Sequence, residues 1–126
     1  MCLFRCVESY FQHSDFRGSI KGLLNSGTWH EVNLIASDSG SVRGGHYHKE
    51  TEECFIILSG LILVTFRKPI SGSLDQVDKI EFRGGDVFIV STHVEHTFEI
   101  IEAAEWINLL SKPMDSQNPD FFKYQT

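Results

Sequence analysis

Long apolar runs are missing from this chain, as are helix-period stripes, paired cysteines and any excess of positive charge. No stretch approaches the roughly 20 apolar residues that a membrane-spanning helix requires, so a membrane partner is not expected. Eleven Lys and Arg stand against seventeen Asp and Glu, a formal charge of −6. That balance argues against a nucleic-acid or anionic-membrane surface. Cysteine is scarce: Cys2, Cys6 and Cys54 make an odd count without zinc-type pairing. This suits a reducing compartment better than a disulfide framework. The opening Met1-Cys2-Leu3-Phe4-Arg5-Cys6 lacks the apolar stretch of a signal peptide, and the expectation is a soluble, cytoplasmic protein. At 126 residues the chain has one domain's length, with enough material for a core that needs no disulfide staples, so residues 1–126 are expected to form a single domain.

What is present is strand-like. β-Branched and aromatic runs occupy Trp29–Ala36, Val42–His48, Glu53–Leu58, Leu61–Arg67, Val77–Phe82, Val87–Val90, His96–Ile101 and Glu105–Leu110. Turn-forming clusters separate them: Ser37-Asp38-Ser39-Gly40, Ser59-Gly60, Pro69 to Asp75, and Gly84-Gly85-Asp86. Eight or so short strands predict an all-β sandwich or barrel. Ser59-Gly60 has the length of a two-residue hairpin turn. Glu53–Leu58 is apolar on both faces, so it needs cover beyond its own barrel. Either the N-terminal segment or a second subunit could supply it, and a homodimer is the expectation. Phe121, Phe122 and Tyr124 predict that the otherwise polar tail docks on the body.

His46 and His48 lie two apart in a strand-like run and leave the same face. Glu53 has the opposite parity, but Lys49-Glu50-Thr51-Glu52 intervenes and a turn there resets the phase. His96 opens a later strand whose face reads His96, Phe98, Ile100. Three imidazoles and one carboxylate form a nitrogen-and-oxygen donor set for one divalent metal ion: Zn, Fe, Mn or Ni. Strand alternation turns Cys54 away from Glu53, so no thiolate joins them. His93 and His30 are spare imidazoles and Tyr47 a phenol, which makes these three the candidate acid–base groups. His30 alternates with Glu31, so one of the two faces solvent. Arg43 and Lys49 are cations suited to a phosphorylated substrate. Trp29 and Trp106 are expected in the core.

These spacings resemble the cupin family. Gly40, His46, His48, Glu53 and Gly60 reproduce its first signature: glycine, five residues, His-x-His, four residues, Glu, six residues, glycine. Gly85 and His96 fit the second, with Ser91, His93 and Ile100 where that signature has proline, glycine and asparagine. The resemblance implies a small jelly-roll barrel, the double-stranded β-helix, with the four ligand side chains pointing inward.

A finer resemblance lies inside the first signature. Val42-Arg43-Gly44-Gly45-His46-Tyr47-His48-Lys49 is similar to the Arg-Gly-x-His-x-His-Lys stretch of cupins that act on nucleotide-linked deoxysugars. These include dTDP-4-keto-6-deoxyglucose 3,4-ketoisomerases, rhamnose-pathway 3,5-epimerases and the C-terminal domain of capsular-polysaccharide epimerase–reductases. Asp15-Phe16-Arg17-Gly18 and Asn118-Pro119-Asp120 are similar to further stretches of the same group. The ketoisomerases work without a metal, whereas the capsule-type domain holds zinc on a His/His/Glu/His set, as the residues here would. The resemblance implies an isomerase or epimerase in polysaccharide biosynthesis, working on a nucleotide-activated keto-deoxysugar by proton transfer next to a carbonyl. The same ligands would also serve an iron-dependent dioxygenase, and the same fold a non-catalytic small-molecule binding module.

Overall fold

A computed structural model describes residues 2–125; Met1 and Thr126, the ends of the expected domain, lie outside the described residues. Among the described residues there is no helix, and nine strands run β1 Phe4–Cys6, β2 Phe11–Asp15, β3 Gly18–Gly22, β4 Glu31–Ser37, β5 Val42–His46, β6 Glu53–Lys68, β7 Gln76–Arg83, β8 Val87–Val90 and β9 Glu95–Leu110. All pairings are antiparallel. The all-β expectation therefore holds, while three N-terminal strands, β1 to β3, were not visible in the hydrophobic pattern.

Two long strands organise the barrel. β6 and β9 pair along their length, with register shifts between Ile57 and Ile62. Before the shifts, β6 pairs with β8 and β9 with β4; beyond them, β6 pairs with β7 and β9 with β5. Each long strand thus serves two layers, and the irregularity between them is the corner. Inward parity shows the inserted residue: Glu53, Phe55 and Ile57 are buried on one side of the corner, Ile62, Val64 and Phe66 on the other.

This corrects the expected hairpin at Ser59-Gly60. Both residues lie within β6, with Ser59 opposite Glu105. Gly60 is required there because φ is +91° and a Cβ would collide with Ala103 O and Ala104, so the glycine marks a bulge rather than a reversal. The expected run Val42–His48 is also shorter, since β5 stops at His46.

Inside, Phe55, Phe66, Phe82, Phe88, Phe98 and Trp106 join Leu3, Ile57, Ile62, Val64, Val90 and Ile100 in one apolar core. A smaller cluster sits on the outer side of the barrel wall. Cys54, Val87 and Ile89 are covered there by Val7, Leu23, Leu24 and Trp29. Cover for Cys54 and Ile56 on that face therefore comes from the N-terminal part of the chain, while Leu58 stays 49 % exposed. Between these covering residues, β2 and β3 form a separate two-stranded sheet joined to no other strand.

Candidate metal centre and its cavity

The candidate ligands His46, His48, Glu53 and His96 gather where strand ends meet. Glu53 opens β6, His96 is the second residue of β9, and His46 closes β5 directly opposite His96. His48 follows after a single bridge residue, Tyr47, which pairs with Phe122 of the tail. β5 reaches β9 through an irregularity at Gly44. There φ is +92° and a Cβ would strike His96 O, so glycine permits the approach that brings His46 to His96.

One ligand atom from each of His46, His48, Glu53 and His96 lies within 4.8 Å of the other three. His48, Glu53 and His96 are 4 %, 6 % and 3 % exposed. Two of the rings are anchored on their far side. His48 Nδ1 stands 2.5 Å from Asp120 O, and His96 Nδ1 stands 3.0 Å from Val94 O. With Nδ1–H of His48 and His96 donating to these carbonyls, Nε2 of each ring faces inward, a donor to Glu53 when the ring is protonated and a lone pair when it is neutral. His48 Nε2 meets Glu53 Oε1, and His96 Nε2 lies 3.2 Å from the same oxygen. Asn108 Nδ2 donates to Glu53 Oε2 at 2.9 Å, which turns Oε1 toward the imidazoles.

The electrostatics follow from burial and proximity. Burial, reinforced by His96 and His48, pushes the His46 pKa down to about 4, so its imidazole is neutral near pH 7. Burial opposes ionisation of Glu53, but His96 together with hydrogen bonds from His48 and His96 outweighs it and holds the carboxyl well below the usual range. For His48, burial is outweighed by the Glu53 carboxylate, and its pKa is raised. A neutral imidazole, two oriented imidazoles and a carboxylate with no thiolate near them fit a divalent ion of the Zn, Fe, Mn or Ni type.

The cluster lies in the wall of a cavity of about 310 Å³ whose other walls include Glu31, Asn33, Arg43, Trp106, Asn108 and Met114. A chain of hydrogen bonds crosses it from the ligand carboxylate. Asn33, opposite Asn108 in the β4–β9 register, donates to Asn108 Oδ1 at 3.2 Å and to Glu31 Oε2 at 2.9 Å. Met114 N donates to Glu31 Oε1 at 3.0 Å. Asn33, Asn108 and Glu31 were missed in the sequence. The available signal was a polar residue at an inward position of an apolar strand, as in Trp106-Ile107-Asn108-Leu109-Leu110 and Val32-Asn33-Leu34.

Of the cations expected to bind substrate, Arg43 lines the cavity, its Nε bonded to Ser37 Oγ at 2.6 Å and its Nη2 to Ala36 O at 3.0 Å. Lys49 does not; its Nζ lies 4.2 Å from the centre of the Phe122 ring. The expected acid–base groups His93, His30 and Tyr47 are also absent from the cavity wall. Strand parity turns Glu31 inward and leaves His30 exposed. Tyr47, opposite in parity to the ligand histidines, stacks on Tyr124 with ring centres 3.9 Å apart. His93 occupies a turn at φ +67°, the conformation for which the family signature carries glycine at that position. Its main chain joins two segments: its N–H donates to His48 O at 2.6 Å, and its carbonyl accepts from Tyr124 Oη at 2.6 Å.

Comparison with known proteins agrees with this architecture. A curated relative, the UDP-2-acetamido-2,6-beta-L-arabino-hexul-4-ose reductase of Pseudomonas aeruginosa, is 26 % identical over 117 residues, covering 87 % of this chain and 30 % of its own length. Among solved structures, the capsular polysaccharide assembling protein CapF of Staphylococcus aureus matches with a TM-score of 0.69 at 21 % identity, over 92 % of this chain and 34 % of that one. The QdtA 3,4-ketoisomerase of Thermoanaerobacterium thermosaccharolyticum, solved in complex with TDP, matches with a TM-score of 0.75 at 18 % identity, over 98 % of this chain and 89 % of that one. This chain thus spans about a third of the reductase and of CapF. The family described as Polysaccharide biosynthesis C-terminal domain matches residues 13–121, and the chain belongs to that family, built on a cupin barrel.

Proposed function

We propose that this chain is a metal-binding cupin that isomerises or epimerises a nucleotide-activated keto-deoxysugar by proton transfer beside the carbonyl. The observation that carries the reading is the buried His46/His48/Glu53/His96 cluster, its donors oriented by outer hydrogen bonds, in the wall of a largely apolar cavity. His46, His48, Glu53 and His96 would hold one divalent ion, and such an ion supplies Lewis-acid polarisation of a carbonyl oxygen. Arg43, held against Ser37 and Ala36, would receive the diphosphate as a fixed cation. Glu31 is the carboxylate that lines the cavity outside the cluster. Hydrogen bonds from Asn33 and Met114 hold its pKa below the usual value, so it is ionised at neutral pH and would act as a weak base. In this reading it replaces His93, His30 and Tyr47 in the acid–base role. Membership of a polysaccharide-biosynthesis family and the likeness to a ketoisomerase solved with TDP support a nucleotide-sugar substrate.

The test is solvent-deuterium exchange into nucleoside-diphosphate 4-keto-6-deoxyhexoses by the metal-loaded chain. Exchange at a carbon next to the ketone is expected, and it should be lost in Glu31→Gln and kept in His93→Ala. Absence of exchange from every such sugar, with the metal bound, would leave a non-catalytic binding module. That second reading is favoured by the lack of a spare imidazole in the cavity wall. Iron as the metal found on purification would instead point to dioxygenase chemistry.

The partner in solution is proposed to be a second copy of the chain, now on a different observation. Phe16 is 98 % exposed and Ile20 60 %, both on a β2–β3 hairpin that pairs only with itself. An isolated two-stranded hairpin is marginal in water, and docking on a partner would stabilise it. Sedimentation equilibrium should report a dimer at micromolar concentration; monomer alone would remove the proposal.

A further inference from the structure

The segment after β9 returns across the barrel mouth and grips the ligand loop. Ser111 N donates to Glu52 O at 3.0 Å and Ser111 Oγ accepts from Glu52 N at 2.8 Å. Further along, the Asp120 carboxylate accepts from Lys49 N at 2.9 Å, Glu50 N at 2.8 Å and Thr51 Oγ1 at 2.9 Å. These three donors belong to the turn that separates His48 from Glu53. The main-chain oxygen of the same residue accepts from His48. Phe121 then places its ring 4.8 Å from that of His46, and Phe122 pairs with Tyr47, between the two histidines, through N–O distances of 2.9 and 3.0 Å. One short stretch therefore touches the whole run from His46 to Thr51.

We infer that Asp120 is a positioning residue for the metal centre: its carboxylate clamps the 49–51 turn, so that its carbonyl fixes the His48 ring. The inference rests on the metal reading above and goes beyond it by joining the tail to metal affinity. Groups that orient a ligating histidine typically change affinity by about 10- to 100-fold when lost. Coupling of this kind is reciprocal, so a bound metal must favour the docked tail by the same factor that docking favours the metal.

Two measurements on the full chain test it, both using Zn²⁺ alone as the probe. In the first, chelator competition compares wild type with Asp120→Ala and Asp120→Asn. Zn²⁺ should bind Asp120→Ala about 10- to 100-fold more weakly, with partial recovery in Asp120→Asn, whose amide oxygen still accepts. In the second, hydrogen exchange of the Phe122 and Tyr47 amides is followed in wild type, which depends on no variant's folding. Both amides should exchange more slowly once Zn²⁺ is bound. Unchanged affinity in Asp120→Ala, or unchanged exchange on Zn²⁺ binding, overturns the positioning role while leaving the metal centre standing. Failure of wild type to bind Zn²⁺, Fe²⁺, Mn²⁺ or Ni²⁺ removes the metal reading and this inference with it.

Discussion

At one end of the barrel interior, Phe4 stacks on Phe66 with ring centres 4.5 Å apart and Phe82 on Phe88 at 4.0 Å, beside Leu3, Ile62 and Val64. At the other end, His48, Glu53, His96 and Asn108 are as deeply buried, yet they surround a cavity of about 310 Å³. Phe55 marks the border, its ring 5.1 Å from Phe88 and 6.0 Å from His96. β6 and β9 contribute to both ends, so burial alone does not distinguish them. The apolar end gains from every atom removed from water, at about 25 cal/mol per Å². The polar end pairs its buried imidazoles, carboxylate and amides with named partners, because an unpaired group costs about 1–3 kcal/mol; Trp106 Nε1, in the same wall, is buried without one. The partners are backbone carbonyls, Asn33 and Asn108, and the arrangement orients lone pairs toward one point instead of filling space.

If that division is right, truncating the packed end should cost the most stability and leave the donors in place. Phe88→Ala should lower unfolding free energy by about 3–5 kcal/mol, read from the denaturant midpoint. Metal per folded molecule should stay unchanged. A cost below about 1 kcal/mol would mean that the apolar end is not the stabilising half.

At the polar end the order should reverse, with little packing lost and much affinity. His48→Ala removes a direct donor, and metal retained through identical purification should fall close to zero by elemental analysis. Asn108→Ala removes only the group that turns Glu53, so affinity should weaken by about 10- to 100-fold. Equal effects from the two variants would erase the distinction between ligand and orienting group.

The acid response sharpens the contrast further. His46 has a folded pKa of about 4 against an unfolded value of about 6.5. The unfolded chain therefore binds the extra proton first, and metal-free stability should fall as pH drops from about 6.5 to about 4 on this group's account. Glu53, whose pKa is lowered, adds stability present above the unfolded carboxylate range, near about 4.3, and lost as pH falls through its folded value. His46→Asn should flatten the first limb and keep the second. Thermal melts across this range, with chelator present, would show it; an unchanged first limb would assign the acid loss elsewhere.

The smallest effect concerns His93, which sits at φ +67°. A non-glycine residue in that region costs roughly 1–2 kcal/mol, partly offset by the entropy that glycine loses on folding. His93→Gly should therefore stabilise the chain by about 0.5–1 kcal/mol with metal content intact. Loss of metal in that variant would return His93 to the site.

That His46, His48, Glu53 and His96 would come together was legible because coordination chemistry restricts both residue type and spacing, and these four, with Gly60, stand at such a spacing. The all-β class was legible from short apolar runs between turn signals, and Cys54 was turned from Glu53 by simple alternation. Other features were settled by contacts between residues far apart in the chain. Ser59-Gly60 reads locally as a turn, but pairing with Glu105 across β9 makes it a bulge within one strand. His30 and Glu31 are equivalent choices until the β4–β9 register selects which one faces the cavity. Asn33 and Asn108 acquire meaning only from being opposite each other beside Glu53. Asp120 is 67 positions beyond Glu53, and no local rule connects them; the tail's return across the barrel mouth does. Composition and periodicity thus determined which residues could bind a metal and that strands would carry them. Tertiary structure decided which polar groups hold those ligands in place, because burial leaves a buried polar group stable only where the fold brings it a partner.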